Sequence, residues 1–203
     1  MITFAQFLEG YVKEYNPKLV IVLGGPGAGK TYIAKMFAAN GFRMAIIDQY
    51  FEAMMRKIQN QQKVNVSLND PQQKQHHVWA SVQNDKRIDH YLKQGYPIVT
   101  EKTGQNFRTI AQLKALSEKG GYQCFAVYVN TDPEVALKRN QNRPERSLSD
   151  PNELRKVHQQ VLGNVFSGEK GPGVQGLFGN NFFVVDGNNL ESVKKVMEEI
   201  INK

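Results

Sequence analysis

Gly24-Gly25-Pro26-Gly27-Ala28-Gly29-Lys30-Thr31 sets four glycines, a lysine and a hydroxyl within eight residues. Glycines let successive backbone N–H groups converge on one anion, and a helix N-terminus beginning there adds a favourable partial charge. Lys30 can reach the β and γ phosphates of a nucleotide, and the Thr31 hydroxyl can ligate Mg2+. An apolar run, Lys18 to Leu23, precedes the motif, and a helical pattern from about Gly29 to Asn40 follows it. Strand, glycine-rich turn and helix in that order are the context a phosphate-binding loop requires, so ATP and Mg2+ are the expected ligands.

Phosphoryl transfer needs a second set of groups. Asp48 ends the apolar stretch Met44-Ala45-Ile46-Ile47, and Glu101 ends Pro97-Ile98-Val99-Thr100. Carboxylates at the carboxyl ends of two parallel strands emerge at the sheet edge that carries the phosphate loop. One can orient and deprotonate an acceptor hydroxyl, while the other holds substrate or water-bound magnesium. Asp48 is the expected base, and Glu101 and Arg108 are expected acceptor contacts. Lys138, Arg139, Arg143 and Arg146 cluster before Pro144 and Ser147-Leu148-Ser149-Asp150-Pro151, which reads as a basic lid over about 139–155. Guanidinium groups there would neutralise the transferring phosphoryl group. His76-His77 has no further ligand at matching spacing, so no zinc site is expected.

Strands and helices alternate along the rest of the chain. Strands are expected at Arg43 to Asp48, Tyr96 to Glu101, Tyr122 to Asn130 and Asn181 to Asp186. Helices fall between them, including one carrying Phe4, Phe7, Leu8, Tyr11, Val12 and Tyr15, and one carrying Val78, Val82, Ile88, Tyr91 and Leu92. Trp79 and Tyr91 read as core, whereas Tyr50 and Phe51 beside Asp48 could touch an acceptor ring. The polar segment Gln61 to Gln75 reads as a substrate loop. Glycines at 163, 168, 171, 173, 176 and 179 predict a mobile loop over about 163–180. By analogy with kinases of such an architecture, Asp186-Gly187-Asn188-Asn189 after the last strand is an expected adenine contact. The fold expected is α/β, a three-layer P-loop NTPase domain with a mainly parallel sheet flanked by helices.

Composition narrows the class. The 203 residues suit one domain, and no stretch is long and apolar enough to cross a bilayer. A cytoplasmic protein without a membrane partner is the expectation. Cys124, the single cysteine, excludes an internal disulfide and reads as a buried strand residue. A formal charge of +7 leaves a nucleic-acid partner open, although no block of five like charges occurs. There is no Asn-Lys-x-Asp guanine signature, no Asp-x-x-Gly switch and no strand ending in an Asp-Glu pair. A kinase acting on a small metabolite or a polynucleotide fits best.

The P-loop, Asp48, Val99-Thr100-Glu101-Lys102-Thr103-Gly104 and the run Val135 to Arg143 together resemble P-loop kinases of the zeta-toxin and polynucleotide-kinase type, over roughly the first 160 residues. The resemblance implies that Asp48 is the general base and that Arg139 and Arg143 contact phosphates. The leading reading is transfer of the ATP γ-phosphoryl group to a hydroxyl of a nucleotide, nucleotide sugar or nucleic acid. The competing reading is a P-loop ATPase or a nucleotide-regulated nucleic-acid-binding module without kinase activity.

Overall fold

The computed structural model describes residues 17–62, 71–141, 150–167 and 173–203. The expected helix over Phe4 to Tyr15 lies outside them. In chain order the elements are β1 (Lys18–Leu23), α1 (Lys30–Ala39), β2 (Arg43–Ala45), α2 (Ile47–Gln62), α3 (Pro71–Lys93) and β3 (Ile98–Lys102). They continue as α4 (Phe107–Lys119), β4 (Gln123–Asn130), α5 (Pro133–Gln141), α6 (Pro151–Phe166), α7 (Gly173–Phe178), a 3-10 turn (Gly179–Asn181), β5 (Phe182–Asp186) and α8 (Leu190–Asn202).

The strands form one sheet in the order β2-β3-β1-β4-β5, every pairing parallel. Residues Leu19 to Leu23 of β1 are wholly buried, as a central strand covered on both faces must be. Alternation along the strands then divides the core. Val20, Val22, Val99, Phe125 and Val127 pack against α1 and α8, while Leu19, Ile21, Ile98 and Ala126 pack with residues of α3, α4 and α6. Helices therefore cover both faces, giving the three-layer α/β architecture. The chain leaves β1 towards the β2 side and leaves β3 towards the β4 side. That reversal opens a crevice at the carboxyl ends of β1 and β3, where Val22 lies beside Glu101 and Leu23 beside Lys102.

Several elements differ from the sequence reading. β2 stops at Ala45 and α2 begins at Ile47, so Asp48 occupies a first helical turn, where a carboxylate is favoured by the helix dipole, instead of ending a strand. Glu101 lies inside β3, which continues to Lys102. The polar segment Gln61 to Gln75 contributes residues to α2 and α3, with 63–70 outside the described residues. Gly163 lies within α6, because Val161 and Val165 on the opposite face are fully buried and outweigh the cost of about 1 kcal/mol that one helical glycine carries. The expected loop further contains α7, whose Gly173 has φ 64 and approaches the Val165 carbonyl so closely that a Cβ would overlap it. Trp79 is 42 % exposed, since the inward face of α3 is Ala80, Asn84 and Ile88, and Phe51 is buried with Met55 and Ala80 instead of facing an acceptor.

Cys124 is buried in β4 as expected, and burial, reinforced by Glu118, pushes its thiol up from 9.0 to about 12. The folded state therefore keeps a proton that the unfolded thiol loses above about pH 9, and stability should fall as pH rises through that range. Iodoacetamide at pH 8 should leave the native protein unlabelled and label it once only in denaturant. Labelling of the native state at the denatured rate would contradict this burial.

Candidate functional site

The P-loop leaves the buried end of β1 at the centre of the sheet edge. Gly29 caps α1 with φ 101, and neither a side-chain cap nor an acidic first-turn residue competes for the first amide groups of the helix. A helix N-terminus of this kind favours an anion. Lys30 Nζ donates to the Gly25 carbonyl at 2.9 Å, and the half-buried Thr31 follows it. The loop is braced from behind: Thr131 Oγ1, after β4, donates to the Ala28 carbonyl at 2.9 Å. Gly27 has φ 76 and lies against the Ala136 carbonyl of α5, so a Cβ there would come closer than 3.0 Å to backbone.

On the β4–β5 side of the loop lies a cavity of about 600 Å3, lined by Gly27, Gly29, Tyr32, Arg139, Asn188 and Leu190 among others. Arg139 Nη2 donates to Asn188 Oδ1 at 2.9 Å and to the Gly187 carbonyl at 3.4 Å. Arg139 therefore belongs to α5 and to the wall of this cavity, together with the Gly187-Asn188 turn after β5. Arg143 lies outside the described residues, as do 142–149 of the expected lid, while 139–141 belong to α5 and 151–155 to α6.

On the β2–β3 side stand the two carboxylates. Asp48 is half-buried at the start of α2 and Glu101 is 9 % exposed on β3. Beside Asp48, Arg87 of α3 donates from Nη1 to Gln49 Oε1 at 3.0 Å and stacks over the Tyr50 ring at 4.4 Å, and Trp79 meets Tyr50 edge-on. Asn84 and Thr100, both fully buried on this side of the sheet, have side-chain polar atoms without a hydrogen-bond partner. Arg108 is exposed in the first turn of α4, and no described contact draws it to either carboxylate. His77 packs its ring against Phe51.

Two residues in this site are not apparent from motif reading. Tyr32 lines the cavity from the first turn of α1. His158 of α6 reaches the P-loop, its Nε2–H donating to the Pro26 carbonyl at 2.8 Å. It lies in the apolar stripe Leu154, His158, Val161 and Val165, and that lone polar member was its signal.

Sheet order, P-loop and crevice define a P-loop nucleotide-binding protein with the architecture of a small kinase. The chain belongs to the zeta toxin family, whose model matches residues 4–170. No curated protein matches it in sequence. A candidate kinase of Chloroflexus aurantiacus shares the fold at a TM-score of 0.66 with 15 % identity, over 92 % of this chain and 95 % of that one. A structure from the PezAT toxin–antitoxin system of Streptococcus pneumoniae gives 0.60 and 14 %, over 98 % and 93 %. A chain of the Pnkp1/Rnl/Hen1 RNA repair complex gives 0.56 and 18 %, over 74 % of this chain and 45 % of that one.

Proposed function

We propose that this protein is an ATP-dependent kinase that transfers the γ-phosphoryl group to a hydroxyl of a nucleotide, nucleotide sugar or nucleic acid. One observation carries the reading: the cavity borders the β4–β5 side of the P-loop and the two carboxylates stand on its β2–β3 side, so nucleotide and acceptor have separate approaches to the loop. A purine base fits the cavity between Tyr32, Leu190 and the Arg139–Asn188 pair, and the triphosphate then runs across Gly27 to Lys30 towards the β3 side.

In this reading the amides of the P-loop and the Lys30 ammonium bind the β and γ phosphates and balance the charge that spreads over the γ oxygens in the transition state. Asp48 accepts the proton of the acceptor hydroxyl and orients its oxygen, while Glu101 holds the acceptor. Arg143 of the lid, with Arg139, offers guanidinium groups to the phosphates. The unpartnered Asn84 and Thr100 side chains supply polarity beneath the acceptor side.

The residues present fit Mg2+ and not a softer metal. The oxygen side chains of Thr31, Asp48 and Glu101 suit a hard cation, and no group of three His, Cys, Asp or Glu gathers among the described residues. Mg2+ tolerates so few protein ligands because it takes the remainder from phosphate and water. Thr31 is the residue that would hold it, and when bound it would supply charge neutralisation to the transferring phosphate.

Arg139→Ala is expected to weaken a fluorescent ATP analogue about tenfold, by removing the group that joins the cavity wall to the Asn188 turn. Isothermal titration of the analogue into both proteins checks this. An unchanged Kd would place the base elsewhere.

A further inference from the structure

We infer that His158 is a positioning residue for the phosphate loop, setting the direction of the Gly27 amide from behind, and that Gly25 is glycine to admit it. The inference rests on the phosphate-binding reading above.

His158 is 8 % exposed on the inner face of α6. A carbonyl oxygen only accepts, so the 2.8 Å contact between Nε2 and the Pro26 oxygen requires the proton on Nε2. The peptide joining Pro26 to Gly27 is planar and trans, so its C=O and N–H point in opposite directions. Fastening the Pro26 oxygen to α6 therefore turns the Gly27 N–H away from α6 and towards the phosphates, and keeps a repulsive carbonyl dipole out of the nest.

Gly25 gives independent support. Gly24, Gly29, Lys30 and Thr31 are the positions the P-loop pattern demands, and Gly25 is not among them. Its backbone is not in the left-handed region. The three atoms nearest to a Cβ at this position, all closer than 3.0 Å, belong to the His158 imidazole. The ring thus fills the volume that any other residue at position 25 would occupy.

The helix that carries His158 is itself fixed at both ends. Arg155 pairs with Glu134 of α5 at 2.7 Å, and Asn164 Nδ2 donates to the Gln105 carbonyl at 2.7 Å in the loop after β3. One helix therefore ties together the P-loop, the helix bearing Arg139 and the loop after the strand bearing Glu101.

The test compares His158→Gln with His158→Asn in the full chain. Gln places an amide N–H near the Nε2 position, whereas Asn stops at the Nδ1 position, and both are small polar replacements. With an N-methylanthraniloyl ATP analogue, Gln should stay within about twofold of the unsubstituted Kd and Asn should weaken binding about five- to tenfold, as one lost hydrogen bond and its amide alignment imply. Melting temperatures of the two variants should lie close together, since a merely structural role would move them and not the Kd difference. Gly25→Ala alone should weaken binding, and Gly25→Ala combined with His158→Ala should be no weaker than His158→Ala alone. Equal Kd values for Gln and Asn, or additive penalties in the Gly25 and His158 cycle, would overturn the inference and leave the kinase reading standing. An unsubstituted protein that binds no nucleotide would sink the phosphate reading and this role together.

Discussion

Asp48→Asn is expected to lower phosphoryl transfer by roughly 10²- to 10⁴-fold while the Kd for ATP changes less than about twofold, the size of effect a positioned general base supplies. The substitution keeps the shape of the side chain and its place in the first turn of α2, so the loss isolates the proton-accepting function. ATP affinity is spared because the cavity proposed for the base lies across β1 from α2. Initial rates at saturating ATP and acceptor, together with the Kd of each protein, check the expectation. Glu101→Gln is the internal comparison: as an acceptor contact it should raise KM for the acceptor more than it lowers kcat. If Glu101→Gln abolishes kcat and Asp48→Asn does not, the two roles are exchanged.

Gly27→Ala should be the most damaging single methyl in the nucleotide site. Two costs coincide. Left-handed backbone at φ 76 costs a non-glycine residue about 1–2 kcal/mol. The new Cβ would also meet the Ala136 carbonyl closer than 3.0 Å, and that atom belongs to helical backbone that cannot rotate away. Either the loop unwinds from its phosphate-binding shape or α5 moves and carries Arg139 out of the cavity wall. Both routes weaken nucleotide binding, by on the order of a hundredfold if about 2–3 kcal/mol is lost. The melting temperature should fall by roughly 5 °C for a chain of this size. Calorimetric Kd and melting scans measure the two effects, and a Gly27→Ala protein with unaltered affinity would show that the loop does not use this conformation when it binds.

The half of the site made by contiguous residues was legible in the sequence. β1, the glycine-rich turn and α1 follow from one motif and one apolar run, because each step is a local backbone requirement. Asp132, just ahead of Pro133, likewise accepts from the Glu134 amide, a cap between near neighbours in sequence. Where tertiary packing decides, the sequence misleads. Ile46 and Ile47 read as a continuation of β2, yet only Arg43 to Ala45 pair with β3, and the chain turns into α2 with Asp48 one residue inside it. Gly163 reads as a break, but the stripe Leu154, His158, Val161 and Val165 holds α6 straight through it. Arg139 reads as the start of a lid; it lies in α5 and reaches Asn188, a partner 49 residues away that no local pattern specifies. His158 and Gly25 are related only through space, 133 residues apart in sequence.

Transfer itself is the central claim. The most direct measurement follows label from γ-labelled ATP into nucleosides, nucleotides, amino-sugar nucleotides and single- and double-stranded oligonucleotides, each repeated with Lys30→Ala and Asp48→Ala. Label should enter one acceptor class and be lost in both variants, with ATP binding retained by Asp48→Ala. ATP bound by the unsubstituted protein with no label in any acceptor, or label undiminished by Asp48→Ala, would contradict the account and favour a nucleotide-regulated binding module or ATPase.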